Sequence, residues 1–99
     1  MLDRLESADF AQRIHDVFCI PVTDAQPISL ELAAVTDLGP KQLPGGRSPF
    51  ALLFLGPVSD RYLRQGAYPL HHDTLGSLDL FIVPLGPQAG RMRYEAVFN

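Results

Sequence analysis

Two adjacent histidines and an aspartate, His71-His72-Asp73, have the residue types that could bind a metal ion. Imidazole nitrogens and carboxylate oxygens are common ligands of zinc and related metals. Neighbouring side chains of a β-strand point to opposite faces, however, so an extended segment keeps His71 and His72 from reaching the same ion. We therefore predict no metal and no cofactor, with one histidine hydrogen-bonded at the sheet surface and the other in solvent.

Cys19 is the only cysteine, so the chain can form no internal disulfide and no zinc site from several thiolates of its own. A cysteine nucleophile needs a histidine base, and the sequence neighbours of Cys19, Phe18 and Ile20, are apolar. We predict a buried, inert thiol. The acidic residues available as paired carboxylates for acid–base chemistry are Glu31, Asp79 and Glu95. We assign catalysis to none of them.

Asp79 is a charged residue inside an apolar stretch. We expect its side chain on the solvent face of a strand, or paired with Arg91 or Arg93 across a hairpin. Together with Arg61 and Arg64, these two arginines are predicted to form a contact patch on one side of the fold. The net charge of −3 argues against a nucleic-acid module, which would carry a basic face, so we favour a protein partner for this patch.

The segment from Gly39 to Pro49 is rich in glycine and proline and invites comparison with a phosphate-binding loop. The pattern fails, because Pro44 stands where the second glycine should fall and Arg47 replaces the lysine only after a shift of register. A strand also follows where a helix should begin. We predict a surface loop that is able to contact a partner.

The elements that must position these residues are mostly short strands. Residues 2–15 show the only helical pattern, in which Ser7 can cap the first turn and Phe10 and Ile14 share one face. Apolar segments bounded by turn residues predict strands over residues 17–22, 28–38, 50–55, 67–72, 78–85 and 92–99. The alternation of the second strand breaks at Ala33-Ala34-Val35, which predicts a bulge or bend.

The longest apolar run, Leu78 to Leu85, is predicted to be a central strand with Phe81 in the core, ended by Gly86-Pro87. The last strand alternates cleanly, with Tyr94, Ala96 and Phe98 on one face and Arg93, Glu95 and Val97 on the other. We predict an all-β, mainly antiparallel fold, a small six-stranded barrel or sandwich with one short N-terminal helix. It forms a single domain over residues 1–99, with the helix and lead-in in 1–16 and the β-structure in 17–99.

The composition is that of an ordinary globular domain, with 99 residues, 46% of them apolar and 19% charged. The N-terminus shows no basic segment followed by an apolar one, so no signal peptide is predicted. No apolar run approaches the roughly 18 residues that a membrane helix needs. We expect a cytoplasmic protein without a membrane partner.

The sequence resembles a family of small bacterial proteins of unknown function, DUF6916. The resemblance lies in Phe50 to Pro57, Gln65-Gly66-Ala67-Tyr68, Leu75-Gly76, Asp79 to Pro84, and the final Tyr94 to Asn99, and so covers nearly the whole chain. On this pattern the matching histidine is His72, not His71. These motifs are structural and imply no catalytic residue. The association of the family with loci for phage-tail-collar-like proteins implies a role in an assembly.

The function that we predict is a non-catalytic protein-interaction or assembly module, with a protein partner or self-association. The motivation is the presence of strands that are apolar on both faces, and we expect the sixth strand to lie at an edge available for pairing. The alternative is a small-molecule-binding β-barrel whose pocket is lined by Phe54, Phe81 and Tyr94, with His72 as the polar group. A third possibility is an enzyme in which His71 or His72 meets a carboxylate or a metal.

Overall fold

The computed structural model describes residues 5–21, 27–39, 48–57 and 63–98. They form one short helix followed by six strands. The elements are α1 (Ser7–Ala11), β1 (Val17–Ile20), β2 (Ile28–Asp37), β3 (Phe50–Pro57), β4 (Gly66–His72), β5 (Gly76–Gln88) and β6 (Arg91–Phe98). Each predicted strand is present, and its ends differ from the prediction by a few residues at most.

The six strands close into an antiparallel barrel in the order β1-β2-β3-β6-β5-β4, with β4 returning to β1. This confirms the all-β prediction and decides between its two forms, since a closed barrel has no free sheet edge. The prediction that the sixth strand lies at an edge is wrong: β6 pairs with β3 on one side and β5 on the other. The β1–β4 seam is thin, because among the described residues only Cys19 and His71 face each other across it.

Helix α1 is shorter than the predicted span of residues 2–15 and covers only Ser7–Ala11. Its N-cap is Glu6 rather than Ser7, and the Glu6 amide donates to Asp9 Oδ2 at 2.8 Å. The helix ends early because the backbone that follows it forms hydrogen bonds with β2 instead of continuing the helix. The His15 amide donates to the Leu32 carbonyl at 2.7 Å, and the Leu32 amide donates to the Asp16 carbonyl at 3.0 Å.

An aromatic cluster fills the end of the barrel that α1 covers. Phe10, the buried residue of the helix, lies 5.3 Å from Phe98 and 5.8 Å from Phe50 between ring centroids. Phe50 and Phe98 stack at 4.6 Å with their planes 10° apart. Since such pairs gain energy beyond the apolar area they bury, Phe10 anchors α1 against the barrel, and Leu5 and Ile14 pack against the same core from either side of the helix.

The interior follows the alternation of the strands. In β6 the buried residues are Met92, Tyr94, Ala96 and Phe98, as the sequence pattern predicts. Near the other end of β3, Gly56 allows close packing, because a Cβ at that position would lie 2.8 Å from Leu30 Cδ2 and 3.2 Å from Tyr94 Cε2. The predicted irregularity of the second strand is also confirmed, since the β2–β3 register shifts between Leu32 and Ala34.

Strand β5 departs from the prediction in two ways. It does not end at Gly86-Pro87 but continues to Gln88, and the register with β6 shifts between Pro84 and Gly86. The residue that this shift leaves without a partner is Leu85, and Pro84 and Pro87 lie close to it, at the kind of irregularity where strands accept proline. The other departure is Phe81, which is 54% exposed while Leu80 and Ile82 are buried. Its predicted place in the core is therefore wrong.

Candidate functional site

The two adjacent histidines lie on opposite sides of the barrel wall, as the extended backbone requires. His71 is exposed, whereas His72 is buried at 8% relative exposure and lies 4.6 Å from the Phe18 ring. His72 Nε2 is 2.8 Å from Asp16 Oδ2. The amides of Thr74 and Leu75 donate to His72 Nδ1 at 3.1 and 3.0 Å.

These hydrogen bonds define the tautomer of His72. Because Nδ1 accepts from two amides, it carries a lone pair, and the ring proton is on Nε2, which donates to Asp16. Both ring nitrogens are occupied by structural partners, so neither is free to bind a metal or accept a substrate proton. The described residues include no group of three or more His, Cys, Asp or Glu side chains that could hold a metal ion. His72 links the β4–β5 turn to the segment before β1.

Cys19 meets a histidine that sequence proximity did not reveal. It faces His71 across the β1–β4 seam, and its other neighbour in the sheet is Ser29, whose Oγ lies 3.8 Å from the sulfur. The thiol is half-buried rather than fully buried. The sequence carries no signal for this pairing, because it depends on how the barrel closes.

Glu31, one of the candidate acid–base carboxylates, is held in an ion-pair network on the outer wall. His15 Nδ1 lies 2.8 Å from its Oε2, and Arg91 Nη1 donates to its Oε1 at 2.8 Å. These hydrogen bonds, first that of His15 and then that of Arg91, lower the pKa of Glu31 below its ordinary value of 4.5. A lowered pKa keeps the carboxylate ionised, which suits a structural ion pair rather than a proton donor.

Asp79 lies on the solvent face of β5, as predicted, opposite Pro69 of β4. The predicted pairing with Arg91 or Arg93 is not seen. Arg91 binds Glu31, and the Arg93 guanidinium donates to the carbonyls of Gly86 and Leu85 at 3.3 and 3.2 Å. Arg93 thereby holds the β5 bulge in place.

The predicted arginine patch is only partly visible in the described residues. Arg91 and Arg93 share the outer face of β6, and both guanidinium groups are engaged within the chain. Arg64 is exposed, and its carbonyl accepts a hydrogen bond from the Tyr68 hydroxyl at 2.6 Å. Arg61 lies outside the described residues, as do residues 40–47 of the predicted loop.

The pocket predicted for a small ligand does not form from the predicted residues. Phe54 and Tyr94 are buried in the barrel interior at 0% and 1% exposure, and Phe81 lies outside it. Phe54 packs edge-on against Phe18 at 5.3 Å, and the Tyr94 hydroxyl accepts a hydrogen bond from the Leu63 amide at 3.0 Å. These two aromatic side chains therefore serve the core.

An apolar surface on the outer wall is the feature that the sequence analysis missed. Among the described residues, five large apolar side chains are exposed, and three of them, Phe81, Leu85 and Val97, belong to β5 and β6. Phe81 and Val97 lie two residues from the Val83–Glu95 pair, each on its own strand and both facing outward. We call Phe81, Val97 and the half-buried Val83 the β5–β6 patch.

Two carboxylates flank the β5–β6 patch. Asp79 precedes Phe81 by two residues, and Glu95 precedes Val97 by two residues, so each shares the outward face of its strand. Glu95 is also the cross-strand neighbour of Val83. The sequence does place Phe81 on the opposite face of the strand from Leu80 and Ile82. Because both faces of this strand carry apolar residues, however, the sequence does not show which face points into the barrel.

The protein is thus a closed six-stranded antiparallel barrel with one capping helix and an apolar patch on its outer wall. The chain belongs to the family DUF6916, a domain of unknown function, which matches residues 5–98. The family resemblance noted in the sequence is thus confirmed over nearly the whole chain. No curated protein and no solved structure matches it. In the part of the chain that the structure describes, no helix is long and apolar enough to cross a membrane.

Proposed function

We propose that the protein is a non-catalytic protein-interaction or assembly module that binds its partner through the β5–β6 patch. The observation that carries the proposal is the exposure of Phe81 and Val97, 54% and 48%, on neighbouring strands of a rigid wall. Aromatic side chains are enriched at the centres of protein interfaces, where a few of them supply most of the binding energy. An exposed phenylalanine flanked by aliphatic residues is such a centre.

The support comes from the contrast between this patch and the rest of the chain. The polar residues whose types suit catalysis or binding stabilise the fold instead: His72 closes a turn, Glu31 binds His15 and Arg91, and Arg93 holds a bulge. The aromatic residues inside the barrel pack against one another. Phe81 does not belong to this interior cluster, and its side chain is exposed on the outer wall. Its apolar surface is therefore available to another molecule.

The test is site-specific photocrosslinking in the native host. A benzophenone amino acid replaces Phe81, and a matched variant carries it at Ser29, an exposed residue of β2 on the opposite wall of the barrel. We expect discrete protein adducts from position 81, absent from position 29 and reduced when Val97→Asp is added. Adducts between two copies of the chain would identify self-association as the form of the interaction. Identical adduct patterns from both positions, or none from position 81, would overturn the proposal.

A further inference from the structure

We propose that the β5–β6 patch selects a partner segment whose contact face has an apolar centre flanked by lysine or arginine. This inference rests on the proposed function and adds the chemistry of the partner. It starts from the two carboxylates beside the patch. Two residues along a strand span about 7 Å, so Asp79 lies one such step from Phe81, and Glu95 lies one step from Val97.

The charge of these carboxylates is not used within the described part of the chain. The carboxylates with side-chain partners there are Glu31, which binds His15 and Arg91, and Asp16, which accepts a hydrogen bond from His72. Arg93 shares the outer face with Glu95, but its guanidinium is turned to the carbonyls of Leu85 and Gly86. Asp79 and Glu95 therefore present negative charge next to an exposed aromatic ring.

This combination fits a long basic side chain. The methylene stem of a lysine or arginine can lie on apolar surface while its charged head reaches a carboxylate. The face of Phe81 also attracts a cation directly, by about 0.5–1 kcal/mol at an exposed site. An apolar residue between two basic ones would thus bury itself against Phe81 and Val97 and place its neighbours near Asp79 and Glu95.

A second copy of the chain is the less suitable occupant of this surface. Its own patch would bring the same two carboxylates, and the chain as a whole carries a net charge of −3. Like charges brought together at an interface disfavour association. A basic partner gains from the same charges, and its binding should weaken as salt screens them.

The experiment measures fluorescence anisotropy of three labelled amphipathic peptides of about 14 residues, a length at which a helix is marginal in water. One alternates leucine and lysine with helical spacing, the next has glutamate for lysine, and the last has serine for leucine. The full chain is compared with Phe81→Ser, with Asp79→Asn/Glu95→Gln, and with Asp37→Asn/Asp73→Asn. The last variant is the charge-matched control, because Asp37 and Asp73 are exposed and lie off the patch.

We expect the leucine–lysine peptide to bind at least about tenfold more tightly than the other two, a difference of about 1.4 kcal/mol. Phe81→Ser and Asp79→Asn/Glu95→Gln should each reduce that affinity several-fold, and the control pair should leave it unchanged. Equal binding of the leucine–glutamate peptide that is lost in Phe81→Ser would overturn the basic partner but preserve the docking surface. Binding that is insensitive to Phe81→Ser, for every peptide, would overturn both. Thermal unfolding of each variant establishes that it is folded.

Discussion

The structural role of the side chain at position 72 is to accept hydrogen bonds, not to act as a catalytic base. Two backbone amides of the β4–β5 turn, those of Thr74 and Leu75, point at His72 Nδ1, and the other nitrogen is used by Asp16. These two hydrogen bonds are half-buried, and an amide that loses its partner away from water costs about 1–3 kcal/mol. The histidine is therefore best understood as a connector that satisfies a tight turn and ties it to the chain before β1.

Replacing His72 tests this role. We expect His72→Leu to lower the free energy of unfolding by about 2–4 kcal/mol, because two amides and one carboxylate lose their partner. His72→Asn should recover part of the loss, since its side-chain oxygen can accept near the position of Nδ1. Urea denaturation measures both. The matched control is His71→Leu, an exposed position where we expect a change below about 0.5 kcal/mol; equal losses at the two positions would contradict the assignment.

Glu31 makes stability depend on pH with a defined sign. Its folded-state pKa lies below its ordinary value of 4.5 because His15 and Arg91 donate to the carboxylate. A group with a lowered pKa contributes stability that is fully present above the ordinary pKa and is lost as the pH falls through the folded pKa. The contribution of Glu31 is therefore complete at neutral pH and declines below about pH 4.5.

We predict that the gap in stability between the wild-type chain and Glu31→Gln narrows as the pH falls from 7 toward 3, because protonation removes the same interaction that the substitution removes. Urea midpoints at several pH values measure the gap. Glu95→Gln is the control, an outward carboxylate for which the described residues show no ion pair. A Glu31→Gln gap that stays constant with pH would contradict the prediction.

At the scale of the element, β5 shows how one strand can stabilise the core and still present an apolar surface. Leu78, Leu80 and Ile82 point inward, and Phe81 points out between them. The carbonyls of its bulge are held by Arg93. A rigid strand fixes the orientation of an exposed side chain, which lowers the entropy that binding must overcome.

Alanine substitutions in neighbouring positions of β5 should therefore differ sharply. Ile82→Ala removes a fully buried side chain and should cost about 2–5 kcal/mol. Phe81→Ala removes a side chain that is 54% exposed and should cost about 1 kcal/mol or less. Chemical denaturation measures the free energy of unfolding of both variants, and the larger loss identifies the residue that faces the core. A larger loss for Phe81→Ala would reverse the assignment and place Phe81 in the core.

The β5–β6 turn contains a residue whose substitution should stabilise the fold. Ala89 and Gly90 connect Gln88 to Arg91 with φ angles of 53° and 79°. Positive φ at both central residues is typical of a type I′ hairpin turn, in which asparagine followed by glycine is preferred. We expect Ala89→Asn to stabilise the fold by about 0.5–1 kcal/mol, because asparagine tolerates the left-handed region better than alanine. Gly90→Ala should destabilise it, and calorimetry of both variants checks the sign.

At the scale of the whole molecule, the seam between β1 and β4 is the weakest part of the wall. β1 has four residues, and in the described chain one pair links it to β4. Segments with few hydrogen-bonded neighbours open locally at the lowest free energy. The hydrogen bond between His72 and Asp16 lies next to this seam and links β4 to the residue that precedes β1.

We predict that native-state hydrogen exchange is faster for the amides of β1 than for those of β3 and β6, each of which is paired on both sides along much of its length. Asp16→Asn should accelerate exchange in β1 and β4 while leaving β3 and β6 nearly unchanged, because it weakens the bond to His72. Uniform acceleration along the chain would instead mean that Asp16 acts on global stability. NMR exchange measurements separate the two outcomes.

The strands and their internal irregularities could be predicted from the sequence, whereas most contacts between residues far apart in the chain could not. Alternation in β6 and the break at Ala33 could be interpreted correctly, because both depend on the pleat of a single strand. The partners Asp16 and His72 are 56 residues apart, and Cys19 meets His71 only through closure of the barrel. Phe81 was misplaced because a strand with apolar residues on both faces does not reveal its inward side.

The position of β6 has a consequence for how the chain is made. In chain order, β1, β2 and β3 form one antiparallel sheet and β4 and β5 form a hairpin. Apart from the thin β1–β4 seam, these two pieces are joined by β6, which pairs with β3 on one side and with β5 on the other. Until β6 is synthesised, the edges of β3 and β5 that it pairs with present unpaired backbone N–H and C=O groups. A chain that lacks β6 is therefore expected to keep two open strand edges and to aggregate more readily than the closed barrel, which has none.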